Sequence, residues 1–73
     1  MQVDEIKTLL HSNPFVPFTI HLADGRSMHV VHPDFVATAP EGNSIIVYEA
    51  DSSFAIVDLS LAVDAEVKML AAV

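Results

Sequence analysis

The stretch that most limits what this chain can fold into is Phe18 to Val31, Phe-Thr-Ile-His-Leu-Ala-Asp-Gly-Arg-Ser-Met-His-Val-Val. Phe18, Ile20 and Leu22 alternate with Thr19, His21 and Ala23, the period of a half-buried strand. Asp24-Gly25 supplies the turn. A two-residue loop would pair Ala23 with Arg26 and put Met28 on the face opposite Ile20. A three-residue loop, Ala23-Asp24-Gly25, pairs Leu22 with Arg26, Ile20 with Met28 and Phe18 with Val30. It gathers Phe18, Ile20, Leu22, Met28 and Val30 on one face. It also places Gly25 at the left-handed position of a type I turn with a G1 bulge. A slip of one residue would turn the apolar set to water, so the spacing predicts the three-residue loop. Arg26 then ends the apolar face, its stem over the core edge and its charge within reach of Asp24 or solvent.

The segments before the hairpin read as helix and connector. Val3, Ile6, Leu9 and Leu10 follow helical spacing, with Asp4 and Glu5 near the positive end and His11 near the negative end. A helix over about 3–11 is too short to stand alone and needs to pack on a sheet. Pro14-Phe15-Val16-Pro17 is an extended connector whose two prolines exclude a central strand. Phe15 is expected to pin the helix to the β-structure.

After the hairpin the chain reads as β-rich over 16–68. His32-Pro33-Asp34-Phe35 predicts a tight turn or single helical turn, with Phe35 returning to the core. Short strands are expected over Phe35–Ala39, Ser44–Glu49 and Phe54–Val57, separated by Pro40-Glu41-Gly42-Asn43 and Asp51-Ser52-Ser53. Asp58-Leu59-Ser60-Leu61 breaks the alternation as a 3₁₀ turn would. Ala62–Val67 suits strand or helix; the spacing of the preceding short strands favours strand. Residues 69–73 are expected to fray or to enter an interface. The fold class is therefore mostly β with an N-terminal helix (α+β). It is expected as a small SH3-like or Sm-like barrel, or a strongly bent antiparallel sheet, of five to six short strands.

Length and charge narrow the function. Seventy-three residues leave room for one domain, spanning 1–73. There is no cysteine, hence no disulfide and no thiolate metal site. Apolar residues make up 52% of the chain, more than so small a sphere can hide. A homo-oligomer, with a dimer preferred, is the expected outlet for that surplus. Ten acids against Lys7, Arg26 and Lys68 give a net charge of −7. Such a surface repels phosphate and disfavours nucleic acid and anionic membranes. No apolar run is long enough for a membrane span, and no signal-peptide pattern opens the chain, so a cytoplasmic protein is the default.

Candidate chemistry is sparse. His21 and His29 share the outward face of the hairpin in the preferred register, and His32 follows. With Asp34 they form a candidate set for zinc or another divalent ion. None has a recognised ligand spacing, and a solvated or interface face accounts for them more simply. Asp24, Asp34, Asp51, Asp58 and Asp64 sit where turns and solvated strand faces want acids. No nucleophile–base arrangement, phosphate-binding glycine loop or cofactor motif is present, so no catalytic residue, cofactor or enzymatic activity is expected. Phe15, Phe18, Phe35, Tyr48 and Phe54 could be read as a stacking platform. Without a positive groove they read as core, with Tyr48 suited to an interface rim.

Pro14-Phe15-Val16-Pro17-Phe18-Thr19-Ile20-His21-Leu22-Ala23-Asp24-Gly25-Arg26, followed by Val30-Val31-His32-Pro33-Asp34-Phe35, carries a resemblance. It resembles a family of short uncharacterised bacterial proteins with the pattern PFxPFxIxLxDGR…VxHPxF. Ile45-Ile46-Val47 and Ile56-Val57-Asp58-Leu59 fit as well. The resemblance implies no activity and no catalytic residues. It implies that Asp24-Gly25-Arg26 and His32-Pro33 are structural punctuation. In element order the chain is also similar to Sm-like and SH3-like small barrels, an analogy of fold alone. Sm-like rings bind RNA, and this chain departs from them in charge. The expected function is a non-enzymatic oligomeric protein-interaction module. The alternatives are an Sm-like nucleic-acid binder and a small metal-binding protein using His21, His29 and His32.

Overall fold

A computed structural model describes residues 1–67. The expectation for 69–73 lies outside the described residues. The element order is helix α1 (Val3–Leu10), strands β1 (Phe18–Leu22) and β2 (Ser27–Val30), a 3₁₀ turn (Pro33–Phe35), and strands β3 (Val36–Thr38), β4 (Ser44–Tyr48) and β5 (Phe54–Asp58). A second 3₁₀ turn (Leu59–Leu61) then leads into β6 (Ala62–Val67). The strands form two three-stranded antiparallel sheets, ordered β2-β1-β6 and β3-β4-β5. Mostly β with an N-terminal helix is thus the observed class, although no strand ladder closes the two sheets into one barrel among the described residues.

The hairpin takes the three-residue loop. Phe18 pairs with Val30, Thr19 with His29, Ile20 with Met28 and His21 with Ser27. The amide of Leu22 donates to Arg26 O at 2.9 Å, and that of Gly25 donates to Leu22 O at 3.0 Å. Gly25 sits at φ +91°, where a side chain would be strained. Arg26 folds back on Asp24, with Nε 2.8 Å from Oδ2 and the backbone amide 3.0 Å from Oδ1.

β1 is the middle strand of its sheet. β6 joins its other side, with Phe18 opposite Val67, Ile20 opposite Ala65 and a bulge between His21 and Leu22. The core draws on every element around it. Phe18, Ile20, Leu22, Met28 and Val30 come from the hairpin, and Ile45, Val47 and Val57 from the second sheet. Ile6 and Leu10 come from α1, and Leu59 from the second 3₁₀ turn. Phe15 packs against this cluster, its ring 6.1 Å from that of Phe18, as the connector reading expects. Phe35 does not return to the core. It is 36% exposed and lies against His32, 5.8 Å between ring centres, because its short turn leaves it at the surface.

Helix α1 stops at Leu10 with His11 as its C-cap, one residue short of the expected end. Its N-terminus has no cap of its own; Gln2 makes no side-chain capping bond. Asn43 supplies the missing partner from far along the chain. Its Oδ1 accepts from Val3 N at 2.9 Å and its Nδ2 donates to Met1 O at 2.7 Å. Asn43 O also accepts from Leu59 N at 2.8 Å, so one residue joins the helix start, the entry to β4 and the second 3₁₀ turn.

Two substitutions test this frame. Gly25→Ala meets no atom within 4 Å, so its cost is conformational alone, about 1–2 kcal/mol in urea denaturation. Asn43→Ala leaves the Val3 amide and Met1 carbonyl without partners and is expected to cost about 1–2 kcal/mol in the same assay.

Candidate interaction surface

The outer faces of the two sheets differ in kind. On β2-β1-β6, alternation turns the polar residues outward, apart from Val63, which sits at the bulge of β6 and is 67% exposed. Thr19 lies between His29 and Glu66, and His21 between Ser27 and Asp64. On β3-β4-β5 two of the three outward rows are also apolar; the third pairs Ser44 with Asp58 at the far end. Ala37, Ile46 and Ile56 form one row across the sheet, and Tyr48 and Phe54 form the next. Ile56 is 70% exposed, Phe54 59% and Tyr48 44%. The rings of Tyr48 and Phe54 are tilted at 45° with 5.8 Å between centres, a cross-strand aromatic pair on the open face.

The reason is visible in the strands themselves. Ile45-Ile46-Val47-Tyr48 and Phe54-Ala55-Ile56-Val57 carry apolar residues at both phases of the pleat. Ile45, Val47 and Val57 take the inner phase and are buried, which leaves their neighbours outside. A groove of about 320 Å³ lies at one end of this face, lined by Ala37, Ala39, Pro40, Ile46 and Ile56. No ionisable side chain stands within these two rows. Asp58 lies at the far end of β5, and Glu49 and Asp51 in the turn before it. Phe54 was expected in the core, and Tyr48 at an interface rim. They are surface residues, and continuous apolar runs of this kind, the pattern of strands covered on both faces, were the signal for it.

The histidines fall into separate local roles. His21 and His29 do share the outward face of the hairpin. His21 Nε2 lies 3.1 Å from Glu66 Oε1 and 4.0 Å from Asp64 Oδ1. His29 Nδ1 lies 2.9 Å from Thr19 Oγ1. His32 caps the 3₁₀ turn, its Nδ1 accepting from Asp34 N at 3.1 Å, with Asp34 Oδ2 at 3.7 Å. Among the described residues, no group of three or more His, Asp or Glu side chains is arranged to hold a metal ion. The four candidates are thus not brought together as one ligand set. Also among the described residues, no helix is long and apolar enough to cross a membrane.

Three aspartates close turns as the sequence suggests. Asp24 is held below the usual carboxylate range by the Arg26 amide first, with the Arg26 side chain adding to it. Asp51 is lowered chiefly by the Ser53 hydroxyl, then by the Ser53 amide. Asp58 is lowered chiefly by the Ser60 amide, which donates to its Oδ1 at 2.9 Å.

Searches against protein-family models, curated proteins and solved structures returned no match for this chain. Its surface is therefore the guide to what it does.

The lowered aspartates set an acid limit on the fold. Each contributes stability that is fully present above the ordinary aspartate pKa of 3.8 and is lost as pH falls through its lowered value. The thermal midpoint is expected to drop between about pH 5 and about pH 2. Asp58→Asn keeps an oxygen acceptor for the Ser60 amide at every pH, so scanning calorimetry of that variant should show a shallower drop.

Proposed function

We propose that this chain is a non-enzymatic protein-interaction module that works as a homo-oligomer, with a dimer as the preferred form. The observation that carries the reading is the contrast between the two sheets. One outer face carries Thr19, His21, Ser27, His29, Asp64 and Glu66, with Val63 at the β6 bulge its exposed apolar exception, and the other presents Tyr48, Phe54 and Ile56 to solvent beside a half-buried Ile46. Fully burying a large apolar side chain is worth about 1.5–3 kcal/mol, so leaving several in one patch forgoes stability that a docking partner would recover. Charge supports the same reading. The chain carries −7 overall, yet the two apolar rows of the exposed sheet are free of charge, so a partner can settle on them without desolvating an acid.

Element order supports an SH3-like small barrel as the scaffold. Taking β2 and β3 as two halves of one strand, interrupted at Pro33–Phe35, places the strands in the sequence β6-β1-β2/β3-β4-β5. This is a likeness of architecture and assigns no activity.

The test is native mass by light scattering across a range of concentrations, for the wild-type chain and for Ile56→Lys. The wild-type chain is expected to form a dimer. The variant is expected to lose at least about thirtyfold in association and to show a thermal midpoint that no longer rises with concentration, while staying folded, because position 56 makes little contact within the protomer. A wild-type chain that stays monomeric at every concentration would show the oligomer reading to be wrong.

A further inference from the structure

The edge of the exposed sheet is as informative as its face. β5 ends the order β3-β4-β5 and pairs only with β4 among the described residues. The amide of Glu49 donates to Ser53 O at 2.8 Å, and that of Leu59 donates to Asn43 O at 2.8 Å. These two bonds bracket the β4–β5 ladder and fix its phase. Hydrogen-bonded pairs alternate in an antiparallel ladder, so Ala55 and Val57 bond to β4. The N–H and C=O groups of Phe54, Ile56 and Asp58 therefore point away from it, along an edge that no other strand among the described residues pairs with.

Open edges are normally guarded by lysine, proline, a bulge or shortness. β3, the opposite edge, has three residues and runs toward Pro40. β5 has five residues, Phe-Ala-Ile-Val-Asp, with no lysine, no proline and no register break against β4. Its single charge, Asp58, stands at the end.

We propose that a second copy of this chain adds to that edge, antiparallel, about a twofold axis at Ala55. Phe54 of each protomer then lies opposite Ile56 of the other. This deepens the oligomer reading above and rests on it. The register follows from side-chain and charge matching. An axis at Ile56 would set Phe54 against the partner's Asp58, and an axis at Val57 would set Ile56 against it. An axis at Ala55 makes two aromatic–β-branched pairs, a favourable cross-strand combination, and carries Asp58 beyond the partner's first β5 residue, so that it faces no strand residue there. No acid opposes an acid across the joined strands, which matters in a chain of net charge −7. The apolar row Ala37, Ile46, Ile56 continues into the partner's Phe54 and Tyr48, and the same row runs the other way. Each outward pair, Phe54 with Ile56, exchanges both backbone hydrogen bonds. The contact is isologous and closes on itself. A short edge contact of this kind is expected to dissociate on dilution in roughly the micromolar range.

Cross-linking tests the register directly, because the chain has no cysteine of its own. With the axis at Ala55, the two Ala55 residues form a non-hydrogen-bonded pair with Cα atoms about 4.5 Å apart, within disulfide reach. The two Ile56 residues are displaced diagonally by more than about 7 Å, beyond that reach. Under mild oxidation, the full chain carrying Ala55→Cys is expected to become mostly covalent dimer on non-reducing gels, and the chain carrying Ile56→Cys to remain single. Ile56→Pro provides an independent reading. It deletes only an outward N–H, so it should keep the circular dichroism spectrum of the wild-type chain while abolishing the dimer by light scattering. Cross-linking through Ile56→Cys in place of Ala55→Cys would overturn the register. A wild-type dimer that survives Ile56→Pro and cross-links through neither cysteine would overturn the edge contact and leave the oligomer reading standing. A wild-type monomer at every concentration would remove both, and would leave this face for a different protein.

Discussion

The position of Gly25 at φ +91° decides the length of one loop, and that loop decides which half of the hairpin meets water. Shifting the pairing by one residue would exchange Phe18, Ile20 and Leu22 for Thr19 and His21 at the core face. Because β1 is the middle strand of its sheet, β6 inherits the phase that the loop sets. Ile20 and Val30 are completely buried, and Ile6 of α1 and Leu59 of the second 3₁₀ turn close over the same cluster. Helix, hairpin and last strand therefore share one dependence, on a residue with no side chain.

The two sheets spend their apolar residues differently. The first sheet buries one face and hydrates the other, as an antiparallel sheet beside a core usually does. The second is apolar on both faces, and the protomer has material to cover only one. A chain this small gains limited burial from its own core. Placing a second apolar surface outside is consistent with a protein whose stability and association are linked, so that apparent stability would rise with concentration.

The parts of the fold legible in the sequence are those governed by neighbouring residues. The hairpin register followed from alternation plus Asp24-Gly25. The 3₁₀ turn at Leu59–Leu61 followed from a break in alternation, and β6 from the spacing of the strands before it. The arrangement of the second sheet was less legible. In Ile45 to Tyr48 and Phe54 to Val57 every phase is apolar, so periodicity could not say which side chains face inward. Phe54 was consequently placed in the core with the other phenylalanines, whereas the polar tip of Tyr48 marked it for a rim. Phe35 was misplaced because the geometry of a three-residue turn, and not hydrophobicity, sets its direction. The shared outward face of His21 and His29 was readable from the register. The neighbours Glu66 and Asp64 were not, since they arrive on a strand more than forty residues away.

Asn43 adds a consequence of a temporal kind. A helix of eight residues has little tendency to form alone, and here the amide that opens it is bonded to a side chain forty positions later. The Val3 amide has its partner only when the residues around Gly42 have bent to bring Asn43 beside it. Any event that opens the 40–43 bend, such as a proteolytic cut there, would loosen Met1 to Val3 at the same moment, across the whole length of the intervening fold.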